Sequence, residues 1–327
     1  MAKRLVSASK LTAIGDAIRA KTGSSGLMTL DQMAVSIGGL GGIEVVDAGS
    51  GPIEVGYFMD EACTVAATVG LLIDMGSSAR VYRKLIEPAS WSTGTDAEIQ
   101  AMAASAKAGS VDLTQYWSIG DMRTVSLSAM AATGVGESHV AQNVQVVLMH
   151  KNWKDANGVT HPFLWGLKDG LANGTSGEYG YMNSSNTNSG GWNGCARRTW
   201  CNNVFFPALP AWLQEATGTT AVKTANGSSS STVISSDRCF LPAEFEVFGS
   251  NTHANSSAES GLTHIEYYKT ASNRIKKCGP SGSASSWWER SPYSGNSHSF
   301  CFIDVSGSDD YYGASGACLL APCGCIL

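Results

Sequence analysis

At 327 residues the chain is long enough for about two domains. Its 22 basic and 27 acidic residues leave a net charge of -5, with no cluster of Lys and Arg of the kind a nucleic-acid partner requires. No stretch reaches the roughly 18 apolar residues of a membrane span, and the longest candidate, residues 62–75, carries Asp74, so membrane insertion is not expected.

Low charge, 37 glycines and 9 tryptophans point to a loop-rich α+β protein that leans towards strand. The N-terminus lacks the apolar core of a secretory signal, so synthesis in a host cytoplasm is expected. Cys63, Cys195, Cys201, Cys239, Cys278, Cys301, Cys318, Cys323 and Cys325 make an odd number without CxxC spacing. They read as buried thiols acting as small hydrophobes rather than as a metal site or a disulfide framework.

In chain order, residues 1–40 come first. Leu5, Leu11, Ile14 and Ile18, then Met33 and Ile37, recur at helical spacing. They predict two helices, the first capped by Ser7 or Ser9 and ended by Gly23, the second begun at Thr29. So small a pair buries little surface and is expected to attach to other chains. The run GGLGG at 38–42 reads as a hinge. Residues 41–90 carry short apolar runs at Ile43–Val46, Ile53–Val55 and Leu71–Ile73, read as a β-rich linker or shoulder closed by Pro88.

From 91 to 327 the texture changes. Asp96–Lys107 predicts a helix with Ile99, Met102, Ala103 and Ala106 on one face and Gly109 past its end. Val140–Met149 reads as a buried strand, and Phe205–Gln214 as an amphipathic segment broken by Pro207 and Pro210. Residues 225–236 and 250–263 read as polar loops, and Glu266–Asn273 as helical or irregular. Residues 237–249 read as strand, turn and helix, although as candidate ligands Glu244 and Glu246 are weighed in a strand-like or turn context. Phe300, Phe302, Ile303 and Val305 predict a strand pinned to the core, with exposed loops on both sides.

The candidate chemistry is thin. Asp237, Glu244 and Glu246 lack an Asp-x-Asp-x-Asp-Gly loop, so calcium has no motif and pairing with Arg198, Arg238 or Arg290 is favoured. The six histidines are scattered, and neither a Gly-x-Ser-x-Gly elbow nor a phosphate-binding glycine loop occurs. No catalytic residue, metal ligand or cofactor is assigned. Trp192 and Trp288 read as core anchors, with Arg290 bonding carbonyls or a carboxylate near them. The last 43 residues are different: large aromatic rings interleaved with Ser, Asn, Gly and Asp have the composition of a binding surface.

Two resemblances follow. Ile14, Asp16, Ala17, Ile18, Arg19, Lys21, Thr22 and Gly23, then Met28, Thr29 and Met33, resemble an N-terminal module of phage and prophage tail and baseplate proteins. Trp91–Asp96, Ile99, Tyr116-Trp117, Gly120-Asp121, Arg123, Gly191-Trp192, Arg198-Thr199, Leu209-Pro210, Asp237, Phe240–Pro242, Glu244, Glu246 and Trp288 with Arg290–Pro292 resemble, in order, a C-type-lectin-like domain. That family is related in fold to the formylglycine-generating enzymes and to variable proteins diversified by retroelements. The chain departs from it at Leu319–Cys323, where the family closes with an arginine-bearing Gly-Val-Arg-Pro-Ala.

The resemblance implies a tail-tip adhesin, borne on the virion and homotrimeric. It would bind a bacterial surface protein or glycan, and other tail or baseplate proteins, without covalent chemistry. The expected contact residues are Tyr293, Ser294, Asn296, Ser297, His298, Ser299, Asp304, Ser308, Asp309, Asp310, Tyr311, Tyr312 and Ala314. Their bias towards Asn, Ser, Tyr, Asp and His is that of a strip mutated at adenine-containing codons. Two alternatives stand beside this reading: a baseplate or fibre subunit without a ligand, and an enzyme on the formylglycine-generating fold.

Overall fold

Alternation of buried and exposed side chains marks the strand Met122–Leu127, while other strands are buried throughout or hold no buried residue. The computed structural model describes residues 44–58, 61–63, 80–135, 138–172, 180–279 and 281–327. The expected helices within 1–40, the hinge at 38–42 and the strand Leu71–Ile73 lie outside the described residues. Helix makes up 19% and strand 33%, so the α+β class holds. Among the described residues no helix is long and apolar enough to cross a membrane.

The chain divides into two compact units, Met1–Pro88 and Ala89–Leu327. In the first, β1 (Glu44–Ala48) runs parallel to β3 (Arg80–Ile86), and β2 (Ile53–Phe58) pairs antiparallel with the other edge of β3. The strand β3, rich in Arg and Lys, was not foreseen.

In the second unit, α1 (Asp96–Lys107) starts where the sequence placed it. Thr95 caps it: the Glu98 amide donates to Thr95 Oγ1 at 3.3 Å, and the Thr95 amide donates to the Glu98 carboxylate at 2.7 Å. Ile99, Met102 and Ala103 are buried, and Ser105 replaces Ala106 as the last buried position. The main sheet has the order β4-β5-β6-β13-β7, from β4 (Met122–Leu127), β5 (Gln142–Lys154), β6 (Thr160–Leu167), β7 (Thr217–Gly218) and β13 (Cys323–Ile326). β5 begins two residues later than expected and runs five further. Its polar end, Lys151–Lys154, is carried by pairing with β6 rather than by apolarity. Arg123 is buried on β4, where it donates to Trp91 O at 3.1 Å and Gly94 O at 2.5 Å and ion-pairs with Asp96. Trp91, Trp117 and Trp212 pack edge to face beside it.

Between β6 and β7, α2 (Ala196–Trp200) continues as a π-helical turn, Cys201–Phe205, and a last α turn, Phe206–Ala208, before α3 (Ala211–Ala216). The segment read as a polar loop at 225–236 is instead half of a hairpin, β8 (Thr220–Ala225) with β9 (Thr232–Asp237). Its serines hid the alternation: Ser235 and Asp237 point inward and are hydrogen-bonded there. Gly191, at φ +58, precedes Trp192 where any Cβ would lie 1.9 Å from Ala225 O, so this approach needs glycine. The strand-turn-helix expected over residues 237–249 is present: its helix is α4 (Glu244–Phe248), ended by Gly249 at φ +73, and Glu244 and Glu246 lie on that helix rather than in a strand or turn. Two 3₁₀ turns follow, Glu266–Lys269 and Ala271–Arg274. The second sheet, β10-β11-β12, is built from β10 (Trp287–Pro292), β11 (Ser299–Ile303) and β12 (Asp309–Gly313).

Candidate functional site

β10 is buried along its whole length, and its side chains form the base of the site. Trp287 donates from Nε1 to Arg274 O at 2.7 Å, and Trp288 to Gly180 O at 2.8 Å. Arg290 grips Glu246 with both terminal nitrogens, at 2.5 and 2.6 Å, and also donates to Leu241 O. A fully buried pair of this bidentate form is costly to break. Asp237 is saturated too, by Trp192 Nε1 at 3.0 Å, Arg198 Nε at 2.6 Å, Ser235 and Asn202. Glu244 accepts the amides of Thr252, His253 and Ala254. These acids therefore hold loops and arginines. Among the described residues no group of three His, Cys, Asp or Glu is placed to ligate a metal.

β11 lies on β10, and β12 lies on β11 as the edge strand. The expected loop at 308–312 is thus a strand. The Asp304 carboxylate shapes the turn before it, accepting the amides of Ser306 at 2.8 Å and Ser308 at 2.9 Å. Burial works against ionisation of Asp304, but bonds from Ser306, Ser308 and Gly307 outweigh it and hold the carboxyl below its ordinary range. Asp304 is a turn residue, and Val305, expected in the strand, is exposed in that turn.

Register places Tyr311 opposite Cys301 and Tyr312 opposite Phe300, so the two tyrosines face opposite ways. Tyr312 lies over Trp288 at 6.3 Å and 22°, with Phe302 edge-on. Tyr311 stacks on Tyr293 at 3.8 Å and 9°. His253 meets both of those rings edge-on, and its Nε2 is 3.7 Å from Asp309. Tyr311 remains 41% exposed and Tyr312 51%, which leaves two large rings available on a rigid base. Asp310, Ser294, Ser297, His298 and Ser308 are exposed around them, and Asn296 is partly so.

Two expected contact residues are not on this surface. Ser299 and Ala314 are buried at 3% and 0%. The Ser299 carbonyl accepts bonds from Tyr293 N and Asn188, and the Ala314 carbonyl accepts the amides of Met182 and Asn183. Backbone demand fills both positions, so they are scaffold.

Three residues that sequence reasoning passed over belong to the site. Asn188 donates to the carbonyls of Tyr293, Asn296 and Ser299 and so fixes the 293–299 loop. Asn186 Oδ1 accepts from the Ser315 amide at 3.0 Å. His253 anchors Ser294 through its carbonyl. All lie at least 40 residues from their partners in sequence, so no local spacing marks them.

A separate cleft of about 740 Å³ lies between α1 and α3, lined by Gln100, Lys107, Glu215, Arg238 and Leu327 among others. Gln100 is hydrogen-bonded to Glu215 there. Burial pushes the thiols up: Cys195 to about 11, Cys318 to about 12, and Cys301 well above its ordinary value. Activated thiols have the opposite shift.

Residues 145–325, more than half of the chain, match the family described as a domain of unknown function, DUF6273, and the chain belongs to that family. The match takes in β5 to β13 and so contains the whole β10–β12 sheet. No curated protein matches the chain, and no solved structure does.

Proposed function

We propose that the 89–327 unit is a C-type-lectin-like recognition domain and that the chain is a phage or prophage tail adhesin. One observation carries the reading: an edge strand presents two exposed tyrosines, one on each face, Tyr311 stacked on Tyr293 and Tyr312 on Trp288, beside a base whose tryptophans and Arg290–Glu246 pair are buried and bonded. Rigid aromatic anchors within a polar rim form the energetic centre of many interfaces. The contact set is Tyr293, Ser294, Asn296, Ser297, His298, Ser308, Asp309, Asp310, Tyr311 and Tyr312, with His253 added. Trp192, Trp288 and Arg290 are scaffold.

The ligand is a bacterial surface protein or glycan, bound without covalent chemistry and without a cofactor. The N-terminal residues 1–40 attach the chain to other tail or baseplate proteins, and a homotrimer multiplies a modest single-site affinity. The codon-type bias of the strip supports diversification by a retroelement. The buried, raised thiols favour this reading over an enzyme of the formylglycine-generating type.

The test uses the full-length chain, fluorescently labelled and incubated with a panel of bacterial strains. Saturable binding to a subset of strains, displaced by unlabelled chain, is the expected outcome. Binding to none, with particles lacking the chain still adsorbing normally, would leave the baseplate-subunit reading in its place.

A further inference from the structure

Among the described residues the β10–β12 sheet contains one buried carboxyl that its scaffold leaves wholly unbonded; Arg290 Nε on the same strand and the nearby Tyr268 hydroxyl also lack a partner. Glu289 lies on β10 between Trp288 and Pro292, where the β10–β11 register slips. It is fully buried, and neither carboxyl oxygen has a hydrogen-bond partner. Every other acid around it is provided for: Glu244 by loop amides, Glu246 by Arg290, and Glu259 by Ser291 and Asn251.

The groups that face Glu289 come from each element packed against it. They are Glu244 from α4, Glu259 from the 250–263 loop, Cys301 from β11, Asp309 from β12 and Tyr268 from the first 3₁₀ turn. The nearby cation, Arg290 on β10 itself, is already committed to Glu246. Burial first, then repulsion from Glu244, Glu259 and Asp309, pushes the Glu289 carboxyl well above its ordinary value. A carboxylate in this place would be an unpaired charge among like charges, on a strand held by a slipped ladder. A neutral acid is tolerated.

We infer that Glu289 is a proton-dependent latch beside the hairpin: as a neutral acid it lets β11, and β12 with it, stay paired to β10 across the slipped ladder, and as a carboxylate it forces them off. This goes beyond the adhesin reading and does not rest on it, because the latch acts in the free protein. Ionisation would withdraw Tyr311 and Tyr312 together, since both ride on β12.

The sign follows from linkage. The closed state holds its proton to higher pH than the open state does, so opening releases a proton. Stability of the closed hairpin is fully present below the ordinary glutamate value and falls as pH rises towards the raised one. Across that window the opening constant grows roughly tenfold per pH unit.

The test is hydrogen exchange of the full-length chain, read by mass spectrometry over residues 299–313 from mildly acidic to alkaline pH and corrected for the intrinsic rate. Residues 142–167 of the main sheet are the internal control. Lys276 is buried and titrates in the opposite sense, so the comparison is between wild type and Glu289→Gln. Wild type is expected to lose protection over 299–313 by roughly tenfold per pH unit, reversibly, while the control holds and Glu289→Gln stays flat. An equal loss in Glu289→Gln, or no loss in wild type, would overturn the latch. Should Glu289→Gln fail to fold, Asp309→Asn decides: removing one opposing charge must shrink the loss, and an unchanged loss overturns the proposal.

Discussion

Set β13 beside β12. All four residues of β13 are buried, and it is paired on both edges, by β6 and by β7. None of the five residues of β12 is buried, and it is paired on one edge only. The same unit thus has a closed side, around an inner strand that is buried and paired on both edges, and an open side, around an edge strand paired on one edge among the described residues. Short edge strands carrying charge resist casual pairing with other chains, and Asp309 and Asp310 supply that charge here. On β4 and β9, Arg123 and Asp237 are bonded. On β10, in the same sheet as β12, Glu289 has its oxygens unbonded. On the proposed reading the closed side carries stability and the open side carries recognition.

The largest expected effect breaks the base shared by both. Arg290→Ala leaves Glu246 buried and unpaired and should cost about 3–5 kcal/mol, read as a fall in urea midpoint with unchanged slope. The next sharpens the junction of the sheets. Lys276 donates to Leu167 O at the end of β6 and lies 4.9 Å from the Trp287 ring of β10. Burial pushes its ammonium down from 10.5 to about 7. The folded state therefore binds this proton less tightly than the unfolded state, and the contribution of Lys276 to stability rises with pH across that window. Against Lys276→Met, wild type should gain up to about 1.4 kcal/mol per pH unit between those values. A pH-independent difference would show that the carbonyls and rings hold the charge without penalty.

Thr95→Ala acts on the closed side alone. Loss of the α1 cap should cost about 1 kcal/mol by thermal or urea unfolding and leave ligand binding unchanged. Tyr311→Ala with Tyr312→Ala acts on the open side alone and should change stability least, by about 1 kcal/mol or less for each ring.

The closed side was the more legible in sequence. α1 announced itself by Ile99, Met102 and Ala103 at helical spacing, and β5 by its run of valines, because in both the apolar pattern is the cause of burial. The tryptophans and Arg290 were also readable as scaffold, since large rings and a lone arginine in apolar surroundings have few other uses. β9 was hidden because its inward positions are Ser235 and Asp237, satisfied by residues far away in sequence. α4 was legible as the helix of a strand-turn-helix over residues 237–249, but not that its buried face includes two glutamates. On the open side, composition flagged the strip but not which residues face out. Ser299 and Ala314 share the polar, small character of their neighbours, and backbone bonds to Asn188, Met182 and Asn183 alone place them inside. His253, Asn186 and Asn188 join the site through loop geometry that no local pattern encodes.

The most direct measurement of the division between the two sheets is adsorption by particles carrying the Tyr311→Ala, Tyr312→Ala double variant, with the melting temperature of the purified chain taken alongside. Loss of the two exposed rings should cut adsorption by more than about tenfold while the melting temperature stays close to that of wild type. Adsorption at the wild-type level, with the fold equally intact, would contradict the assignment of recognition to β12.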